Sequence, residues 1–157
     1  MRIHLLAVGT KMPTWVVTAT ADYVGRMPAH CQILIKELVA EKRTKSSDLH
    51  RICELEGEKL LAAIPAGSLV IALDVLGKSW STEQLASQLD QWLASGQDVA
   101  LLVGGPEGLS PACLQRADLK WSLSALTFPH PLVRIILAEQ LFRAWSILSN
   151  HPYHRGG

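Results

Sequence analysis

The sequence predicts an α/β fold, a parallel sheet sandwiched between two layers of helices. Strand-like and helix-like patterns alternate from one end of the chain to the other, and that alternation implies a parallel sheet covered on both faces. The runs Leu69–Leu73 and Val99–Val103 are continuously apolar, as strands buried on both faces must be. Asp74 and Gly104 follow them, at the carboxyl ends of strands where such folds bind ligands.

Arg2–Val8 reads as the first strand, ended by Gly9. Thr14–Met27 has helical spacing through Trp15, Val16, Ala19 and Tyr23, and stops before Pro28. Gln32–Val39 alternates around Ile33, Ile35 and Leu38, a strand pattern. Ala40–Ser46 is polar and basic and is expected to be a mobile loop. Ser47 is the expected cap of a helix to about Ile64, with Leu49, Ile52, Cys53, Leu60 and Leu61 facing inward; Pro65 and Gly67 end it. After the strand Leu69–Leu73, Ser81 and Gln84 form a capping box for a helix through Leu85, Leu89, Trp92 and Leu93, stopped at Gly96. Val99–Val103 is the next strand, and Ser110 and Pro111 read as the cap and first residue of a short helix. Lys120–Ser124 and Pro131–Leu148 are the last strand and helix. No linker divides the chain, so residues 1–157 are expected to form one domain.

Hydrophobic residues make up 48% of the chain, which excludes a disordered protein. The net charge of +1 names no partner, so any nucleic-acid site must come from local clusters. Two exist: Lys42, Arg43 and Lys45 in one loop, and Arg134, Arg143 and Arg155 near the C-terminus. Cys31, Cys53 and Cys113 are far apart and show no C-x-x-C spacing, so neither a disulfide framework nor a metal site is expected. The run Ile3–Val8 is too short to cross a membrane. A soluble, cytoplasmic protein with reduced thiols is the expectation.

Three places suit a ligand that touches backbone. Gly104-Gly105-Pro106-Glu107-Gly108 follows a strand and is neither a P-loop nor a dinucleotide fingerprint. Leu123-Ser124-Ala125-Leu126-Thr127-Phe128 is small or apolar with no ionisable group, which suits backbone hydrogen bonds to an adenine edge. Leu73 ends its own strand beside them. Taken singly, each could be a plain structural turn, and Glu107 a helix-entry or surface carboxylate. The tail Asn150-His151-Pro152-Tyr153-His154-Arg155 concentrates titratable and aromatic side chains. His154 has the chemistry of a general base. Arg155 or Arg143 could stabilise developing negative charge, and Tyr153 could stack on a base. His130, between two prolines, reads as a satisfied or solvent-facing histidine. Trp121 and Trp145 read as core or subunit interface.

The stretches LLAVGTKMPTWV, LLVGGPEGLSP and WSLSALTFPHPLVRIILAEQLFRAWSILSNHPYHR together closely resemble the knotted SPOUT methyltransferases. Within them the likeness is to the branch that methylates N3 of a pseudouridine in 23S rRNA using S-adenosylmethionine. The resemblance implies a C-terminal deep trefoil knot, which connectivity rules alone would exclude. It implies a cofactor pocket at Leu73, Gly104, Gly105 and Leu123 through Phe128, and catalytic residues Tyr153, His154, Arg155 and Arg143. It also implies a homodimer joined through the last helix, acting on 23S rRNA in the ribosome. The contending class is a non-catalytic RNA- or ribosome-binding module. A nicotinamide oxidoreductase is excluded by the missing glycine fingerprint.

Overall fold

A computed structural model describes residues 1–156; Gly157, the last residue of the expected domain, lies outside the described residues. Five strands, β1 Arg2–Val8, β2 Gln32–Leu38, β3 Leu69–Ser79, β4 Val99–Val103 and β5 Leu119–Ser122, form one sheet in the order β2-β1-β4-β3-β5. Every pairing is parallel. The connections are α1 Thr14–Gly25, α2 Leu49–Ala63, α3 Thr82–Ser95 and α4 Pro111–Arg116, and α5 His130–Leu148 follows β5.

Strand alternation divides the core. Ile3, Leu5, Ile71, Val99 and Leu101 point to the face covered by α1, α3 and α5, where they meet Leu89, Trp92, Leu137, Leu141 and Phe142. Leu6, Val8, Val70, Ala100 and Leu102 point to the other face, under Leu60 of α2 and Cys113 of α4. Central strands β1, β3 and β4 therefore need apolar residues at nearly every position. The thiols of Cys31 and Cys113 are buried and that of Cys53 half-buried, all unpaired. Burial pushes the Cys31 thiol up to about 11.

The capping box at Ser81 and Gln84 and the Ser110 cap form as expected. Several local expectations are corrected. Trp15 is 57% exposed; α1 turns Val16 and Thr20 inward instead. Asp48, not Ser47, caps α2, accepting the Arg51 N–H at 3.2 Å. Ser47 is one residue early and instead accepts the Thr44 N–H at 2.6 Å. Leu49 is exposed, and the inward stripe of α2 is Ile52, Glu56, Gly57 and Leu60. A buried carboxylate on that stripe disguised its phase. Strand β3 does not end at Leu73. It pairs with Trp121 there, bulges over residues 74–77, and pairs again through Lys78 and Ser79.

Candidate active site

The carboxyl ends of β3 and β5 enclose a cavity of about 100 Å³. Leu73, Val75, Trp121, Leu123, Phe128 and Val133 give it apolar walls; Asp74, Ser124 and Thr127 supply its polar groups. The loop after β5 is shaped by its own serines. Ser122 Oγ donates to the Ser124 carbonyl at 3.1 Å, and Ser124 Oγ accepts the Leu126 N–H at 2.9 Å. The tip Ala125–Thr127 stands in solvent. The apolar walls and the nearby backbone groups fit an adenine and its attached chain.

The glycine loop lies at the end of β4 but does not line this cavity. It is a turn closed by the Gly108 N–H donating to the Gly105 carbonyl at 2.9 Å. Gly104 is demanded by close approach of backbone, and Gly105 sits tightly against side chains. A Cβ on Gly104 would lie 2.5 Å from the Gly108 carbonyl oxygen, and one on Gly105 would lie 3.1 Å from Glu56 Oε1 and 3.3 Å from Arg43 Nη2.

Those two side chains belong to an ion network that sequence reasoning did not find. Arg43 grips buried Glu56 in a fork, with both contacts at 2.9 Å, and its Nε and Nη2 reach Glu107 on the glycine loop. Glu56 also accepts the Glu41 N–H, and Lys59 holds both Glu41 and the Val39 carbonyl. The loop expected to be mobile is therefore tethered, and Arg43 faces the protein and not a solvated basic patch. Hydrogen bonds from Arg43 hold the Glu107 carboxyl below its ordinary value. Arg134 likewise leaves the expected basic cluster. It is 3% exposed, pairs with Glu37, and donates to the Gly9 carbonyl at 2.7 Å. Half-buried His130 is not satisfied: its Nδ1 is buried without a partner. Burial, then Arg134 and Arg43, push its pKa down.

The tail folds back on the end of α5. Asn150 adopts φ +59°, and the His151 N–H donates to the Ser146 carbonyl at 2.9 Å. This is a Schellman-type helix end with Asn in the left-handed position. The reversal delivers the short 3₁₀ turn Pro152–Gly156 onto α5. The Tyr153 ring meets Phe142 at 4.7 Å and carries the Arg143 guanidinium at 4.9 Å. Glu139 Oε1 joins the two, accepting from the Tyr153 hydroxyl at 3.1 Å and from Arg143 Nη2 at 2.7 Å. Burial, then the hydrogen bond with Tyr23 and the Glu139 charge, push the Tyr153 phenol up. His154 Nδ1 lies 3.2 Å from Ser146 Oγ. Arg143, His154, Glu83, Glu139, Thr82, Gln140 and Ile147 line a polar cavity of about 380 Å³.

Of the expected cofactor residues, Leu73, Leu123, Ser124, Leu126, Thr127 and Phe128 share one cavity, with Ala125 at its exposed tip. Of the expected catalytic residues, Arg143, Tyr153 and His154 come together, while Arg155 is exposed. The two groups do not meet within the chain. Their cavities share no lining residue, and Arg143 stands ten residues beyond Val133 on α5, about 15 Å at helical rise. Glu139 had a legible signal, its four-residue spacing from Arg143 on a helix. Ser146 had none.

Among the described residues no helix is long and apolar enough to cross a membrane. The chain is 62% identical over 155 residues to a protein of Thioalkalivibrio sulfidiphilus (strain HL-EbGR7) named Ribosomal RNA large subunit methyltransferase H, covering 99% of each. Two solved structures share the fold at 13% identity. One, described as a methyltransferase of Legionella pneumophila in complex with the bound cofactor SAM, superposes with a TM-score of 0.51 over 92% of this chain and 66% of that one. A methylase family protein of Haemophilus influenzae Rd KW20 gives 0.55 over 97% and 69%. The family model "Predicted SPOUT methyltransferase" matches residues 1–154, and with the parallel sheet and its carboxyl-end crevice this chain belongs to the SPOUT methyltransferases.

Proposed function

We propose that this chain methylates N3 of a pseudouridine in 23S rRNA, drawing the methyl group from S-adenosylmethionine. The observation that carries the reading is the 62% identity, over 99% of the chain, to a methyltransferase named for large-subunit rRNA. Both the crevice loops and the tail fall inside that match. A binding module without catalysis would need neither.

Leu73 and Leu123 through Phe128, at the crevice, would hold the cofactor, largely through backbone groups and with Leu73, Leu123 and Phe128 beside the adenine; Gly104 and Gly105, at the end of β4 and outside that cavity, are assigned to it by the family resemblance alone. The sulfonium supplies an electrophilic methyl carbon. The target N3 carries a proton near neutral pH, and His154 accepts it as N3 attacks. Arg143 and Arg155 balance the negative charge that develops on the ring oxygens. Tyr153, its ring already engaged by Phe142 and Arg143, is assigned to holding Arg143 in place of stacking on the target base.

Residues 1–157 form one SPOUT domain in this reading. The trefoil knot rests on the family resemblance; β3 itself pairs with Trp121 through both Leu73 and Lys78. A Cβ on Gly77 would lie 2.6 Å from the Lys120 carbonyl carbon, so the bulge is drawn tight against β5. The separation of crevice and tail along α5 favours a homodimer in which one copy's tail completes the partner's crevice. Half-buried Ile135 and Ile136 and exposed Leu148 on α5 supply apolar surface for it.

With a net charge of +1, the protein has little electrostatic grip on naked RNA, so the shape of the assembled ribosome supplies recognition. Labelled methyl incorporation into protein-free rRNA, large subunits and whole ribosomes tests this. Whole ribosomes should be the best substrate, with label in one pseudouridine. Equal incorporation into all three would remove the ribosome from the proposal, and no incorporation into any would remove the activity.

A further inference from the structure

We infer that Ser146 fixes the tautomer of His154, leaving Nε2 as the ring nitrogen that takes the substrate proton. The inference rests on the proposed role of the tail and adds a positioning residue to it. Ser146 Oγ lies 2.7 Å from the Arg143 carbonyl oxygen and 3.2 Å from His154 Nδ1. A serine hydroxyl carries one proton. If that proton went to Nδ1, two oxygen atoms would face each other at 2.7 Å with no hydrogen between them. Ser146 is fully buried, at 0% exposure, so solvent does not relieve that contact. The hydroxyl therefore donates to the Arg143 carbonyl, and its oxygen accepts from His154 Nδ1–H. The Ser146 carbonyl meanwhile accepts the His151 N–H, so one residue anchors the tail by both backbone and side chain.

The consequence is chemical. With Nδ1 protonated in both ring states, proton uptake and release happen at Nε2. His154 borders the polar cavity with Arg143, Glu139 and Glu83. The N3 proton of the base passes to Nε2, the N3 electron pair forms the new bond to the methyl carbon, and the carbon–sulfur bond breaks with its pair on sulfur. The imidazolium then returns its proton to water through Nε2, with Ser146 undisturbed.

Nitrogen-15 NMR of the full-length protein, labelled at histidine and read on the neutral ring, tests this directly. Wild-type His154 should show the Nδ1–H form, where free histidine favours Nε2–H. An Nε2–H signal in the wild type overturns the inference, whatever any variant does. Ser146→Ala should lose the Nδ1–H preference and lower kcat by roughly 10- to 100-fold, the range for losing a partner that orients an imidazole, with unchanged S-adenosylmethionine affinity by calorimetry. An unchanged tautomer and rate in folded Ser146→Ala also overturns it. His154→Ala separates the two layers: a fully active His154→Ala removes the proton-acceptor reading itself, whereas an inactive His154→Ala beside a fully active Ser146→Ala removes only Ser146.

Discussion

Around Leu73 and Leu123–Phe128 the walls are aliphatic and aromatic, and Asp74 is the one charged side chain that lines the cavity. Around Arg143 and His154 the walls include two carboxylates, an arginine and an imidazole, each hydrogen-bonded or facing open space. The first region can grip a ligand by shape and backbone and has a single titratable side chain, Asp74. The second can move a proton and steady charge, yet offers little apolar surface for a nucleoside. Binding and chemistry are thus assigned to separate materials, and within one chain to separate stretches of α5. Each half should therefore be removable without destroying the other.

Truncation after Asn150 should break the comparison most sharply. Methyl incorporation should fall by the ~10²–10⁴-fold typical of losing general acid–base help, while cofactor affinity by calorimetry stays within a few-fold of wild type. Co-expressing the truncated chain with an Ala125→Trp chain, blocked at the crevice but intact at the tail, should restore part of the activity through mixed dimers. A truncated protein that methylates at the normal rate removes the tail from catalysis. Failure of complementation between two folded, dimeric variants places crevice and tail in the same copy.

Arg43→Met sharpens the contrast from the crevice side. Removing Arg43 leaves Glu56, 3% exposed, without its ionic partner. The expected loss is about 3–5 kcal/mol of stability, as for breaking a buried pair, read by urea unfolding. The freed glycine loop should also weaken cofactor binding, whereas proton chemistry at the tail should be untouched once cofactor is saturating. Loss of kcat at saturation with intact binding would reverse the assignment of the two regions.

How much of this the sequence carried depends on the reach of each interaction. Strand cores and caps such as Ser81–Gln84 and Ser110 are local patterns, and they read correctly. The loop after β5 is singled out through the family resemblance, since taken singly its small residues suit a plain turn equally well. Glu56 misled, since an acidic residue reads as solvent until its partner is known. That partner, Arg43, is thirteen residues away in a segment with no pattern of its own. Arg134 failed for the same reason, because its carbonyl partners Val8 and Gly9 lie at the other end of the chain. The division between crevice and tail was also invisible, because motif spacing along a helix says nothing of which end a returning tail will cover.

That return depends on Asn150. Its φ of +59° is left-handed backbone, which Asn and Gly tolerate and a β-branched residue does not. Asn150→Val should cost about 1–2 kcal/mol, a melting shift of roughly 2–4 °C per kcal/mol for a chain of this length. Asn150→Gly should be nearly neutral. Because the strain falls on the tail alone, Val should lower methylation with cofactor affinity preserved. Equal effects of Val and Gly on activity would show that the turn does not deliver the tail.

The smallest effect is electrostatic and lies at the glycine loop. Hydrogen bonds from Arg43 depress the Glu107 carboxyl from its ordinary 4.5. A depressed folded pKa means that the stabilisation is fully present above the unfolded value and is lost as pH falls through the folded one. Stabilisation from this pair should therefore begin to fade as pH drops below about 4.5, and the glycine loop is released from Arg43 only as pH passes through the lower folded value. Glu107→Gln removes the titration. Its cost at neutral pH should be no more than about 1 kcal/mol, since Glu107 is partly solvated, and its stability should fall less steeply with acid than that of the wild type. Urea unfolding from pH 6 to pH 3 measures both slopes. Truncation after Asn150 removes no side-chain carboxylate and leaves Glu139, which loses Tyr153, paired with Arg143, so the wild-type acid slope should stay nearly unchanged. A flattening in the truncated protein equal to that in Glu107→Gln would mean that the two regions are coupled in the folded chain, and the division between them would have to be redrawn.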